Sequence, residues 1–461
     1  MDATGKAVLV NQAGEHIILR MSDVTRLITR EAPLDPTLME RLHAGLFVTH
    51  NPRSSGVDLV AQSVRSKLST LMSGTELHLF VATLRCDHSC PYCQVSRVSD
   101  DRTAYDMTIE DASAGLDIMF ASPSKCLKLE VQGGEPLLNY PLVHELVRAA
   151  RKRAREEGRP LECVVTTNLA NITPEMCMFF RDHDVLLSTS IDGPSDLHNA
   201  NRPRPGNDAF QRAVAGIELV RNICGVDSVS ALPTTTRRSL GRVREIVDTY
   251  VGLGFSGVFL RPLSPFGFAV KTQSAIGYDT QDFIDHYLEG LDYCLELWKR
   301  GYQFREHYAS LLLRRMLTPF DTGYVDLMSP AGAGSAVLVF NYDGDVYISD
   351  EARMLAETGE KLFRLGTIRG STREHLLAKP QFAHWIRDSM NEAIPGCDWC
   401  AFRTWCGTDP VYHHATQGDI VGIRSLSSFC QRNMAVFNWL VQKLDADDDD
   451  SRILRAWGGL G

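Results

Sequence analysis

The 461-residue sequence predicts an α/β protein: a partial (β/α)6 barrel, preceded by a small α+β unit and followed by a cysteine-bearing domain. Three observations carry this expectation. Six apolar, strand-length runs alternate with helix-length patterns between residues 77 and 260. A hairpin signal opens the chain. Seven of the twelve cysteines fall into two groups, one just inside the alternating region and one far beyond it. Apolar residues are 44% and charged residues 23%, a globular composition too long for one domain. The net charge of -9 argues against nucleic acid as the main partner. No apolar run reaches the roughly 18 residues a membrane span needs. The polar start Met1-Asp2-Ala3-Thr4 lacks a signal-peptide pattern, so a cytoplasmic protein is expected.

Residues 1–50 read as a separate unit. Ala7–Val10 and His16–Arg20 are short apolar runs split by Asn11-Gln12-Ala13-Gly14-Glu15, and helical patterns follow from Ser22 and from Pro36 to Gly45. In element order this unit resembles the winged-helix-like peptide-recognition modules that precede many peptide-modifying enzymes; the alternative is an extension that packs on the main body. Residues 51–76 are linker and helix, with His50–Gly56 the linker proper. The barrel is placed at 77–320. Its strands are Leu77–Leu84, Cys126–Val131, Leu161–Thr166, Val185–Ser190, Ser228–Leu232 and Gly257–Leu260, with helices such as Ile109–Phe120, Leu142–Ala154, Ala209–Cys224 and Gly241–Leu253 between them. In such barrels the reactive groups sit at the C-terminal strand ends. Residues 321–444 hold a hairpin closed by Asp343-Gly344, the second cysteine group and a helix from Arg432 to Leu444. Residues 445–461 begin with an Asp run and read as a solvated acidic tail. Cys126, Cys163, Cys177, Cys224 and Cys294 read as core cysteines.

Directly after the first barrel strand comes Cys86-Asp87-His88-Ser89-Cys90-Pro91-Tyr92-Cys93. Three thiolates this close can hold one soft metal centre while leaving a position open. A [4Fe–4S] cluster with one open iron can chelate S-adenosylmethionine (SAM) and generate a 5′-deoxyadenosyl radical that takes hydrogen from unactivated C–H bonds. A zinc site would need a fourth ligand, for which His88 is available. The C-x3-C-x2-C spacing, with Tyr92 before the last cysteine, is that of the radical SAM superfamily. Gln132-Gly133-Gly134-Glu135-Pro136 resembles the family's GGEP segment, where Gly133, Gly134 and Glu135 stand at the SAM ammonium. Asn168, closing Thr166-Thr167-Asn168, and Ser190 and Arg202, near Ser190-Ile191-Asp192-Gly193-Pro194, resemble its ribose and carboxylate contacts. Asp192 and His198 are weighed beside them as turn formers. By the same resemblance Leu260 lies near the adenine.

The second group is Cys397-x2-Cys400-x5-Cys406, with Cys430 as a fourth thiol. Four thiolates complete a closed site, for zinc or for an iron–sulfur cluster. After a radical SAM barrel, this spacing resembles the SPASM domain, which carries auxiliary clusters and is typical of peptide maturases. Pro410 stands where the next SPASM cysteine would be. Ala331–Gly334 and Ser349 occupy the other expected cysteine positions. The barrel-proximal auxiliary cluster is therefore expected to be missing, which leaves room near SAM for substrate. In sulfatase-maturase relatives the residue after the hairpin cysteine is an Asp that takes a proton from the substrate; here it is Asp350. Glu351 competes for the role, and strand alternation would send the two to opposite faces. The alternative is that Asp350 pairs with Arg353.

Cys90–Arg97, Gln132–Asn139, Ser329–Gly334, Asn341–Tyr347 and Cys406–Tyr412 together resemble the radical SAM maturases of His-Xaa-Ser systems, HxsB. The resemblance implies a radical SAM/SPASM fold with two [4Fe–4S] clusters, one holding SAM and one auxiliary. It implies a ribosomally made precursor peptide with His-Xaa-Ser motifs as substrate, a flavodoxin or ferredoxin as electron donor, and a companion radical SAM maturase. The modification expected is a side-chain crosslink. The alternatives are sulfatase-maturase-like oxidation of a Ser or Cys side chain, and a non-catalytic partner that presents the peptide to another enzyme.

Overall fold

A computed structural model describes residues 5–49, 51–99 and 101–460. Met1–Thr4, His50, and with them the N-terminal targeting argument and the first linker residue, lie outside these. The chain opens with an antiparallel hairpin, β1 (Lys6–Val10) and β2 (His16–Arg20), followed by helices Met21–Thr29 and Pro36–Ala44. Ile17, Leu19 and Leu42 form its own small core. The hairpin turn docks on the far end of the chain: the Trp405 indole N–H donates to the Gly14 carbonyl at 3.1 Å, and His16 sits edge-on to that ring.

The barrel strands follow: β3 (Leu77–Thr83), β4 (Leu127–Gly133), β5 (Leu161–Thr166), β6 (Val185–Ser190) and β7 (Val229–Leu232), all paired in parallel. Strand β3 is buried almost throughout, as its continuous apolar run requires in a parallel sheet covered on both faces. The connecting helices obey local signals. Thr108 caps Ile109–Phe120 by accepting from the Asp111 N–H at 3.1 Å, and Gly158, at φ 64°, ends Tyr140–Glu157 in the left-handed region.

The sixth strand differs from expectation. It is reduced to β8 (Gly257–Val258), which pairs with β9 (Arg305–Glu306) outside the main sheet. A single parallel bridge from Thr234 to Arg261 links this segment to the end of β7. Pro262 and Pro265 lack the N–H groups that a longer ladder would need. The sheet instead grows at its other edge: β10 (Val337–Phe340) pairs with β3, and β11 (Asp345–Tyr347) and β12 (Arg364–Thr367) extend it, giving the order β12-β11-β10-β3-β4-β5-β6-β7. The expected hairpin is thus part of the barrel sheet. This is an α/β fold built on a largely parallel sheet.

Residues 445–461 are not a solvated tail. Helix Ser428–Asp445 is followed by helix Asp449–Trp457, whose Ile453, Leu454 and Trp457 are buried, and Asp450 pairs with Lys443 at 2.8 Å. Asp448 caps this last helix by accepting from the Ser451 N–H at 3.0 Å, so part of the Asp run is a helix start. Among the described residues no helix is long and apolar enough to cross a membrane.

Candidate active site

Cys86, Cys90 and Cys93 sit on the loop after β3 and line one cavity of about 660 Å³. The same cavity is walled by Gly133 and Gly134 at the end of β4, Asn168 after β5, Ser190 at the end of β6, and Arg202. Gathering these residues at the C-terminal ends of parallel strands is what the fold dictates. Gly133 and Gly134 are required by a close backbone crossing. A Cβ on Gly133 would lie 2.1 Å from the Thr83 carbonyl oxygen, and one on Gly134 would lie 2.3 Å from that of Arg85. The Gly134 and Glu135 N–H groups bond those carbonyls at 2.8 and 2.7 Å, which ties the glycine segment to the cysteine loop.

Glu135 does not line the cavity. Its carboxylate accepts from the Leu137 N–H at 3.1 Å, the Thr167 hydroxyl at 2.6 Å and the Asn168 N–H at 2.7 Å, and burial pushes its pKa up to about 7. It therefore locks the ends of β4 and β5 together. Asn168 in turn donates from Nδ2 to Asp87 at 2.8 Å, fixing the cysteine loop. Tyr92 is buried, its hydroxyl donates to Asp192 at 2.7 Å, and the Arg202 guanidinium lies 5.4 Å from its ring centre. Arg202 also pairs with the fully buried Asp192 at 3.3 Å, and only Arg202 of that pair lines the cavity. His198 is buried behind, accepting from the Asp192 N–H at 3.2 Å. Leu260 is buried, its N–H bonded to Glu306 at 3.0 Å, and it lines a smaller adjoining cavity of about 110 Å³ rather than the larger one.

The opposite wall holds Glu351, weighed from the sequence beside Asp350, together with residues that sequence reasoning missed. Tyr324, Asp326 and Arg261 line both cavities, as does Glu351, while Asp409 lines the smaller one. Asp326 lies just before Ser329, Glu351 just after Ser349 and Asp409 just before Pro410, so three segments that lack the SPASM cysteines each present a carboxylate. Burial pushes all three carboxyls up, and the Asp326 carboxylate adds repulsion at Glu351 and at Asp409. The signal was weak, since each is an ordinary acid in a loop or at a helix start.

Ser349 lines the larger cavity and caps helix Asp350–Ala356, its hydroxyl accepting from the Ala352 N–H at 3.2 Å. Asp350 and Glu351 therefore start a helix and both face the cavity. The expected strand alternation, with its opposite faces, does not apply. Asp350 also pairs with the fully buried Arg353 at 2.7 Å.

Cys397, Cys400, Cys406 and Cys430 converge at the start of helix Ser428–Asp445 and near the N-terminal hairpin. Met434 touches Cys400 at 3.8 Å, and Asn433 Nδ2 donates to Cys406 Sγ at 3.6 Å. Asn433 Oδ1 accepts from Tyr308 at 2.7 Å, and Tyr308 lines the smaller cavity. A hydrogen-bonded path thus runs from the cavity to the second cysteine group.

A tetrahedral zinc with Zn–S of about 2.3 Å draws its sulfurs to about 3.8 Å from one another. Among the described residues, three metal-ligating side chains come within 4.8 Å of one another only at Cys86, Asp87 and His88. Among the described residues neither cysteine group as a whole is drawn together to single-ion spacing. At Cys86–His88, Asp87 and His88 are already bonded to each other at 2.9 Å and to Asn168.

Residues 80–249 match the model of the Radical SAM superfamily. The serine-type anaerobic sulfatase-maturating enzyme of Bacteroides thetaiotaomicron is 29% identical over 144 residues, 31% of this chain and 34% of that protein, so the match spans about a third of that relative's length. Native anSMEcpe with bound AdoMet superposes with a TM-score of 0.67 at 18% identity, over 84% of this chain and all of that one. Streptococcus suis SuiB bound to precursor peptide SuiA gives 0.57 at 15% identity, over 92% and 96%. The match marks a radical SAM domain at residues 80–249, a kind of domain that works with SAM and a [4Fe–4S] cluster, and with the sulfatase-maturating relative it indicates an enzyme.

Proposed function

We propose that this enzyme matures a ribosomally made precursor peptide bearing His-Xaa-Ser motifs, and that it forms a side-chain crosslink. The observation that carries the reading is the cavity that runs from Cys86, Cys90 and Cys93 to Ser349, Asp350 and Glu351, in the region where the cysteines for a proximal auxiliary cluster are replaced. Its volume of about 660 Å³ suits a peptide segment beside SAM. The resemblance of the fold to SuiB, described with a precursor peptide bound, supports the same substrate class.

Cys86, Cys90 and Cys93 would hold the SAM-binding cluster, and Cys397, Cys400, Cys406 and Cys430 the auxiliary one. With SAM, the first cluster supplies a 5′-deoxyadenosyl radical able to take a hydrogen from the peptide. Arg202, braced by Asp192, presents a cation for the SAM carboxylate, and Ser190 and Asn168 present polar groups for the ribose. Gly133 and Gly134 hold the strand end against the cysteine loop. Closing a crosslink releases a proton and an electron from the substrate. A carboxylate at the far wall accepts that proton: Asp350, or Glu351, which is not paired with Arg353. Tyr308 and Asn433 link that wall to the auxiliary site, the exit for the electron. A flavodoxin or ferredoxin delivers the reducing electron, and a companion radical SAM maturase works on the same precursor.

A second reading, side-chain oxidation of a Ser or Cys to an aldehyde, is favoured by the sulfatase-maturating relative. Mass spectrometry of a His-Xaa-Ser precursor after incubation separates the two. A crosslinked peptide is two hydrogens lighter and inert to hydrazine reagents; an oxidised one reacts with them. An unchanged peptide would favour a presenting role.

A further inference from the structure

A buried cation stands in the turn that leads into the helix carrying Cys430. Arg424 stands in the turn Arg424–Leu426, between helices Pro410–Gln417 and Ser428–Asp445, and is 7% exposed. Its Nη1 lies against the His413 ring, 2.7 Å from Nε2 and 2.8 Å from Nδ1. His413 Nδ1 faces the Asp409 carbonyl at 2.6 Å, which places the proton on Nδ1 and leaves Nε2 as the acceptor. Burial, then Arg424, lowers the His413 pKa to about 4, so the imidazole is neutral and does not answer the guanidinium charge. Nε and Nη2 of Arg424 are buried and without a hydrogen-bond partner. A guanidinium does not deprotonate in a protein, and a buried charge without a counter-charge is strongly destabilising. The anions that act on it most are the thiols of Cys397, Cys406 and Cys430 when ionised, ahead of Asp409. Asp419, at the surface, already accepts from the Val421 and Gly422 N–H groups at 2.7 and 3.2 Å.

We propose that Arg424 is the counter-ion of the cluster held by Cys397, Cys400, Cys406 and Cys430, the N–H groups of its unpartnered Nε and Nη2 serving the cysteine sulfurs. The proposal rests on the reading of those cysteines as an auxiliary cluster site. Four thiolates around an oxidised [4Fe–4S] core leave a net charge of minus two, and one-electron reduction makes it minus three. A fixed cation beside the site favours the more negative, reduced form and so raises the midpoint potential. Arg424 is thus a positioning and tuning residue: it touches neither substrate nor SAM.

The test is an electron-paramagnetic-resonance redox titration of the full-length, anaerobically reconstituted protein. The SAM-binding cluster is recognised by the change of its signal when SAM is added. In Arg424→Gln the auxiliary midpoint should move to a more negative potential, while Arg424→Lys, which keeps the charge, should stay near the wild type. Loss of the auxiliary irons in Arg424→Gln but not in Arg424→Lys also supports a role for the charge. An unchanged midpoint in Arg424→Gln overturns the proposal, as does any result in which Lys and Gln behave alike. Metal analysis of the wild type tests the underlying reading separately: zinc in place of the second set of irons would remove the cluster, and the proposal with it, whatever the variants do.

Discussion

The guanidinium of Arg353 grips the Asp350 carboxylate at 2.7 and 3.2 Å, while Glu351, the next residue, faces the same cavity with a hydrogen bond from its own backbone N–H. The two acids should therefore respond differently to loss of charge. Asp350→Asn strips a fully buried arginine of its partner, so it should destabilise the fold by about 3–5 kcal/mol. Glu351→Gln should leave the melting temperature unchanged or higher and cut modified peptide at least about tenfold. Thermal unfolding and peptide mass spectrometry on both variants check this. Full activity in Glu351→Gln with loss of activity in a folded Asp350→Asn would return the base role to Asp350.

Stability should fall as pH rises across neutrality. Burial first, then Asp326, Asp409 and Asp350, push the Glu351 pKa up to about 8. A carboxyl raised in the folded state is favoured there in its protonated form. Its contribution is complete below the ordinary carboxylate range, near 4.5, and is lost as pH passes through the folded value. Denaturant unfolding from pH 6 to pH 9 should show the decline, and Glu351→Gln should make it shallower. If Glu351 is the base, peptide modification should rise over the same interval in the wild type.

Asp192 holds Arg202 in place without reaching the cavity itself. Asp192→Asn should weaken SAM binding by about 10- to 100-fold, the effect of losing a hydrogen bond to a charged group, and leave the iron content unchanged. Calorimetric titration with SAM measures it. An unaltered affinity would show that Arg202 needs no brace.

The anaerobically reconstituted protein should hold about eight irons, four for each cluster. Replacing Cys86, Cys90 and Cys93 by Ala should leave about four and abolish SAM cleavage. About twelve irons in the wild type would mean that a third cluster finds ligands without the missing SPASM cysteines.

The parts of the site that were legible in the sequence are those that one short segment encodes. Cys86–Cys93, Gly133–Glu135 and Ser190 each stand at a strand end, and strand ends follow from apolar runs. The carboxylates Asp326 and Asp409, and their grouping with Glu351, were not legible, because three segments far apart in the chain must fold before they share a cavity. Two misreadings had local causes. Ser349 followed by Asp350 and Glu351 is a helix-start pattern, which the neighbouring hairpin run Asn341–Tyr347 masks as the end of a strand. The Asp run after Leu444 hid the apolar spacing of Ile453, Leu454 and Trp457, which buries the last helix. Strand β8 stops at Val258, and the Leu260 N–H goes to the Glu306 carboxylate rather than to a neighbouring strand.

Incubation with SAM, reductant and a His-Xaa-Ser precursor peptide deuterated at its carbon-bound positions tests hydrogen abstraction from the peptide most directly. The expected result is 5′-deoxyadenosine one mass unit heavier, in step with a crosslinked peptide that has lost one deuterium atom to it and one further hydrogen as a proton. Unlabelled 5′-deoxyadenosine alongside an unchanged peptide would contradict a peptide-modifying role.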